Sequence, residues 1–247
     1  MEWWKEYFSD VWEPMSHLIK QKRDTFAECN LIEQLLLENE FTSLLDVPCG
    51  SGRIAIELAK RGFKTFGVDI NPQAIQKATV HAGKIKKLKP TFQVADMRSM
   101  AFDQTFDMAV CAYNSFGYFS DKDNKACLAS MSRALNDGGC LLLENHVLET
   151  LLPIFTPKEY WQYEDYVLLE ERVFDYNTSR LNGSWTLIDK DGHRKQYKSS
   201  VRMYSYLELI NLLKEVGFVS FEPYSSYLGD PYEFGDDMLL LYAKKGQ

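Results

Sequence analysis

The sequence offers little to a disulfide framework or a zinc site. Its five cysteines, Cys29, Cys49, Cys111, Cys127 and Cys140, are odd in number and never stand in CxxC spacing. No apolar run approaches the roughly 18 residues that would span a bilayer. The opening MEWWKEYFSDVWEPM lacks the basic start, apolar core and small-residue cleavage site of a secretory signal. Basic residues are outnumbered, 28 Lys and Arg against 35 Asp and Glu, and the net charge of −7 disfavours a long polyanion such as nucleic acid as a partner while leaving room for a local basic patch. No repeat or low-complexity tract interrupts the chain, and Lys84, Lys86, Lys87 and Lys89 read as a solvated helix end and loop. These absences point to a globular protein of a reducing, cytoplasmic interior. At 247 residues, 45% hydrophobic and 26% charged, it is long enough to bury one sizeable core.

What is present begins at LLDVPCGSGR, Leu44 to Arg53, an apolar strand running into a glycine-rich turn. A helical apolar stripe follows from Ile54 to Arg61, and Phe63 to Val68 is apolar again before Asp69 in TFGVDI. Strand, turn, helix and strand are the parts of a βαβ unit. Gly50 and Gly52 let the backbone turn sharply and bring N–H groups close to a ligand. Asp46 closes the first strand, and Asp69, one strand later, stands near the separation at which a carboxylate accepts hydrogen bonds from ribose hydroxyls. The competing reading is that the glycines only tighten the connection and Asp69 only caps the helix opened by Asn71 and Pro72. A nicotinamide fingerprint G-x-G-x-x-G fits poorly, because no third glycine stands in register after Gly52.

An acidic residue followed by glycines at alternate positions, here Asp46, Gly50 and Gly52, resembles the first motif of the class I S-adenosylmethionine-dependent methyltransferases. Pro48 stands where that family usually has glycine, removing one N–H donor. The resemblance continues through VADMRSM with Asp96 and Met97, through FDMAVCAYNSFGYF, and through ALNDGGCLLLENH, covering roughly residues 40 to 146; RMYSYLELINLLKEVGF matches more loosely. It implies an α/β fold: a doubly wound, Rossmann-like, mostly parallel seven-stranded sheet. It also implies S-adenosyl-L-methionine as cofactor, held by Asp46, Pro48, Cys49, Gly50, Gly52, Arg53, Asp69, Ile70, Asp96, Met97, Cys111 and Asn114. The acidic side chain of Asp96 and the backbone after it take the adenine in this scheme. No metal is implied.

The organisation expected is a helical leader over 1–40, a cofactor-binding core over 41–147, inserted antiparallel strands over 148–204 and a return to the core sheet over 205–247. The leader carries an aromatic cluster, Trp3, Trp4, Tyr7, Phe8 and Trp12, which either folds over the cofactor or packs on the outside of the sheet. Tyr166 to Tyr204 reads as three strands separated by Asn177-Thr178 and by the Asp189 to Gly192 turn, and a helix follows over Tyr206 to Val216. The insertion roofs a substrate pocket, pairs subunits into a homodimer, or is an inert flap.

A sulfonium methyl is already activated, so the protein's work is alignment and exclusion of water. Tyr113, Phe116 and Tyr118 either offer aromatic faces to that cation or belong to the core. His146, Tyr113 and Tyr118 are the candidate general bases, and Asn114, Tyr118, His146, Arg202 and Tyr204 the candidate acceptor-binding residues. The loop Asn114-Ser115-Phe116-Gly117 is not the Asn-Pro-Pro-aromatic loop of enzymes that methylate exocyclic base amines. The thiol of Cys49 lies in the cofactor turn, where it would not meet a base. Methyl transfer to a nitrogen or oxygen of a small molecule is the leading expectation. Methylation of a protein, peptide or RNA, and a non-catalytic nucleoside binder of the same fold, are the alternatives.

Overall fold

The structure, a computed structural model, describes residues 2–8, 22–102 and 105–247. Trp12 of the aromatic leader lies outside the described residues. The core follows from strands that are apolar on both faces. β1 (Ser43–Asp46), β2 (Lys64–Asp69), β3 (Thr91–Val94), β4 (Phe106–Cys111) and β5 (Leu135–Glu144) run parallel, and β10 (Phe218–Tyr224) and β11 (Leu240–Lys245) complete the sheet. The order is β10-β11-β5-β4-β1-β2-β3, with β11 antiparallel to both neighbours. Helices α3 (Arg53–Arg61), α4 (Pro72–Ala82) and α5 (Asp121–Ala134) follow β1, β2 and β4, and α7 (Tyr206–Glu215) precedes β10. Strand order reverses between β1 and β4, and a doubly wound sheet opens its ligand crevice at the carboxyl ends of the strands there.

The leader contributes α1 (Trp3–Glu6) and α2 (Lys22–Glu38). Leu31, Ile32, Leu35 and Leu36 of α2 are buried with Ile54 and Leu58 of α3 and with Leu44. Arg53 and Arg61 of α3 reinforce that contact: Arg53 pairs with Glu28 and reaches Thr25, and Arg61 Nη1 lies 2.8 Å from Glu33.

After β5 come a short helix, α6 (Leu148–Leu151), and a second, antiparallel sheet. It has four strands in the order β6 (Lys158–Gln162), β7 (Tyr166–Asp175), β8 (Arg180–Asp189) and β9 (Arg194–Arg202). The sequence signals three of these; β6 was not anticipated, because KEYWQ is an edge strand with mostly exposed residues and no apolar alternation. The β8–β9 turn is built as its residues suggest, with Gly192 at φ 84° and the Asp189 carboxylate accepting the N–H groups of Asp191 and His193. No helix among the described residues is long and apolar enough to cross a membrane.

Candidate active site

The first turn separates the roles of its two glycines. Gly50 has φ +55°, and a Cβ built there meets nothing within 4 Å, so the backbone borders open space. Gly52, at φ +80°, lies under the Phe92 ring, 2.6 Å from where its Cβ would sit. Gly67 of β2 is covered by the same ring at 2.5 Å. Gly50 thus gives access, while Gly52 and Gly67 permit close packing.

The carboxylates fix this turn. Asp46, 2% exposed, accepts the Ala55 N–H of α3 at 3.2 Å, placing an acid against a helix N-terminus. Asp69 Oδ2 accepts the Gly50 N–H and Oδ1 the Asn71 N–H, both at 2.8 Å. Burial pushes the Asp69 carboxyl up, and the N–H groups of Asn71, Gly50 and Ile70 pull it down. Capping of α4 is the task of Asn71, whose Oδ1 accepts from Gln73 and Ala74. Asp69 instead clamps the end of β2 to the glycine turn, and each oxygen keeps a lone pair for a hydroxyl donor. A half-buried carboxylate with spare acceptor capacity beside open backbone fits a ribose, so the residues present suit a nucleoside-bearing cofactor.

Asp96 differs from the expectation. Its Oδ1 accepts from the Arg98 backbone N–H at 2.9 Å and from Nε at 3.0 Å, and its Oδ2 accepts from Nε and Nη2 at 3.0 and 2.5 Å. The Arg98 guanidinium holds this carboxyl below its usual range. An adenine amino group would share or displace Arg98, which lies 4.5 Å over the Phe119 ring and 5.8 Å over Trp4. Met97 beside it is buried. Arg53 and the thiols of Cys49 and Cys111 are committed inward: Arg53 to α2, and both cysteines to the core.

The loop after β4 is strained and held. Tyr113 and Asn114 have φ values of 62° and 53°, a region that costs non-glycine residues energy unless neighbours enforce it. Glu144 Oε2 accepts the Tyr113 N–H at 2.6 Å and the Tyr227 hydroxyl at 2.7 Å, and Asn114 Oδ1 accepts the His146 N–H at 2.6 Å. The carboxyl ends of β4 and β5 are therefore stitched together beside the crevice. Glu144 and Tyr227 were not anticipated; an acid ending the apolar run LLLE was the available signal.

The candidate bases separate on environment. His146 Nδ1 lies 3.4 Å from Thr150 Oγ1, and burial lowers its pKa, so the imidazole is neutral and able to accept a proton at neutral pH. Tyr118 is buried, donates its hydroxyl to Asn114 O at 3.1 Å, and has its pKa driven up by burial; it serves as a neutral donor rather than a base. Tyr113 is half-buried at the crevice, whereas Phe116 is core, stacked 5.6 Å from Tyr204. Arg202 and Tyr204 are occupied elsewhere. Arg202 reaches Asp121 and Glu208, and the Tyr204 hydroxyl donates to Asp121 and accepts from Asn124. Both lock the end of β9 onto α5 and α7.

The leader lies across this loop. Trp3 meets Tyr118 edge-on at 5.5 Å, Trp4 meets Phe119 at 4.8 Å, and Tyr7 reaches Trp185 of the inserted sheet at 5.5 Å. Trp3, Trp4, Tyr118, Phe119 and Arg180 border a cavity of about 290 Å³.

A family profile described as "Methyltransferase domain" matches residues 44–139. Glycine/sarcosine N-methyltransferase of Parasynechococcus marenigrum is 31% identical over 151 residues, which are 60% of this chain and 53% of that protein. The chain spans about half the length of several curated relatives it matches, at 53%, 58% and 41%. An S-adenosylmethionine-dependent methyltransferase from Clostridium acetobutylicum superposes with a TM-score of 0.79 at 17% identity, covering 98% of this chain and 99% of that one. CalS10, an amino pentose methyltransferase from Micromonospora echinaspora, has a TM-score of 0.72 at 18% identity, covering 96% and 97%. With the sheet order, the glycine turn and the Asp69 clamp, these likenesses agree: residues 44–139 match a methyltransferase domain, and the chain has the fold of S-adenosylmethionine-dependent methyltransferases.

Proposed function

We propose that this protein is a cytoplasmic enzyme that transfers a methyl group from S-adenosyl-L-methionine to a small molecule, at nitrogen in preference to oxygen. One observation carries the reading: Asp69, half-buried at the carboxyl end of β2, is clamped to Gly50 beside open backbone and keeps lone pairs for two hydroxyls. The cofactor supplies a methyl activated by its sulfonium. This chain's residues bind, orient and exclude water. Asp69 takes the ribose, the Gly50 turn takes the chain that joins it to the sulfonium, and the Asn114–His146 stitch sets the floor on which the acceptor lies. His146, neutral and beside that floor, is placed to receive the acceptor's proton. The leader and inserted sheet cover the site and favour a small acceptor over a macromolecule. Two relatives whose names specify amines, a glycine/sarcosine N-methyltransferase and an amino pentose methyltransferase, support nitrogen. Five unpaired, buried thiols suit a reducing compartment.

Calorimetric titration with S-adenosylmethionine, S-adenosylhomocysteine and NAD tests the reading. The first two are expected to bind and NAD is not; NAD binding without the sulfonium compound overturns it.

A further inference from the structure

The inner face of the inserted sheet carries charge where a structural flap needs none. Along β7, Leu168, Glu170 and Arg172 alternate toward the interior, while Leu169, Glu171 and Val173 face out. Glu170 is 6% exposed. Its nearest counter-charge, Arg172 Nε, stands 3.6 Å away, too far for a hydrogen bond, and that Nε is itself buried without a hydrogen-bond partner. A buried guanidinium N–H without a partner is costly and asks for an explanation.

The surroundings supply one. In the sheet register Glu170 lies between Glu159 of β6 and Trp185 of β8. Trp185 stacks on Trp161 with ring centres 6.0 Å apart, and Tyr7 of the leader covers Trp185. Tyr7 feels the charges of both Glu170 and Tyr113, and His146 feels that of Arg172, so this face looks onto the loop after β4 and the end of β5. Position 183, opposite Arg172, is glycine. A Cβ there would lie 2.5 Å from Ser199 Oγ, 3.1 Å from Trp185 Nε1 and 3.6 Å from Glu170 Oε1, so three polar atoms converge over a residue without a side chain.

Charge settles what the cluster takes. Glu159 pairs with Arg172 Nη2 and neutralises the guanidinium, leaving Glu170 as the surplus negative charge. We propose that Glu170, walled by Trp185, Trp161 and Tyr7, is the acceptor-recognition residue of this enzyme and that its ligand is a small cationic amine. A carboxylate with aromatic rings beside it suits an ammonium. An anionic acceptor finds Arg172 already engaged. Burial pushes the Glu170 carboxyl up to about 7, opposed by Arg172 and reinforced by Glu159, as befits a charge whose counter-ion arrives with the ligand.

This inference rests on the methyltransferase reading, and its test separates the two. Cyclohexylammonium, cyclohexanol and cyclohexanecarboxylate are titrated into the full chain with and without saturating S-adenosylhomocysteine, following tryptophan fluorescence and heat. The ammonium is expected to bind at least tenfold tighter than either analogue. Glu170→Gln is expected to lose at least tenfold in ammonium affinity and the preference with it, while Glu170→Asp keeps the preference and all three proteins bind S-adenosylhomocysteine alike. Absence of an ammonium preference in the wild type, no binding included, overturns the proposal, as does an unchanged preference in Glu170→Gln. Failure of the wild type to bind S-adenosylhomocysteine sinks the methyltransferase reading instead and is seen in a separate titration.

Discussion

The two sheets of this protein spend their residues differently. In the parallel sheet, β4 and β5 are buried on both faces, with only Asp107 and the first residues of β5 reaching solvent, so these strands read as continuous apolar runs. In the inserted sheet, β7 alternates inward and exposed positions, and its inward set includes a buried acid and a half-buried base. The first sheet works through its strand ends: the Gly50 turn, the Asp69 clamp, the strained Tyr113-Asn114 pair. The second presents side chains. A cofactor that never changes can be held by strand ends whose geometry the core dictates, whereas an acceptor is chosen by groups on a surface that the core leaves free to vary.

The sharpest way to break this comparison is at Asp69. Asp69→Ala removes the acceptor for two ribose hydroxyls and releases the Gly50 N–H. Two hydrogen bonds to a charged group amount to about 3 to 6 kcal/mol, so S-adenosylhomocysteine affinity is expected to fall a hundredfold or more by calorimetry. The division of labour fails if that loss is absent, or if Glu170→Gln costs the cofactor as much.

The two sheets meet at Gly117, and a substitution there tests whether they fold as one unit. Gly117 has φ +99°, its carbonyl accepts the Arg202 N–H at 2.7 Å, and a Cβ would lie 2.5 Å from the Arg202 carbonyl oxygen. Gly117→Ala combines backbone strain with a clash against backbone and is expected to cost about 3 kcal/mol in urea unfolding. A single shifted transition is expected; two separated transitions would show that the inserted sheet unfolds on its own.

Sequence made the first sheet legible and left the second half-read, for the same physical reason. Leu44, Leu45 and Val47 announce a strand because both faces are buried, and Gly50 announces a turn because few residues take its φ. The partner of Asp69 was legible too, since acid and turn belong to one βαβ unit. Glu170 and Arg172 look like ordinary charges of a solvated hairpin until Tyr7, more than 160 positions away, packs with Leu168 and Trp185 beside them. Their sharing a face with Leu168 was the available hint. Arg202 and Tyr204 show the converse: polar residues near the crevice in sequence are consumed by Asp121, whose position depends on how α5 packs.

A smaller effect separates the sheets by pH. The Glu170 carboxyl ordinarily titrates near 4.5 and is raised to about 7 in the fold, so the native state holds its proton more tightly than the unfolded chain. The stability this contributes is complete below about 4.5 and is lost as pH rises through about 7, amounting to about 3 kcal/mol. Arg172, Glu159 and Tyr7 face this group and share the response. Thermal melts from pH 5 to 8 are expected to decline in the wild type and to flatten in Glu170→Gln. Saturating cyclohexylammonium is expected to flatten the wild type as well, because a bound cation supplies the missing counter-charge. Identical slopes in all three would separate the raised pKa from the role given to Glu170.

The smallest expected effect concerns Arg98, which ties the cofactor side to the leader. Its guanidinium holds Asp96 and lies over Phe119 and Trp4, so one side chain joins the carboxyl end of β3, the β4 loop and α1. Arg98→Leu keeps apolar bulk between the rings but removes the cation–π contribution, about 0.5 to 1 kcal/mol at a partly exposed site. Hydrogen exchange over residues 3–8 is expected to quicken by about threefold to fivefold, with global stability nearly unchanged. Asp96 is freed by the same change. If its carboxylate then serves adenine, S-adenosylhomocysteine affinity rises in Arg98→Leu and returns to the wild-type value in the double variant with Asp96→Asn; if leader docking governs retention, affinity falls in both. The sign of that one titration decides whether Arg98 competes with the cofactor or latches the leader over it.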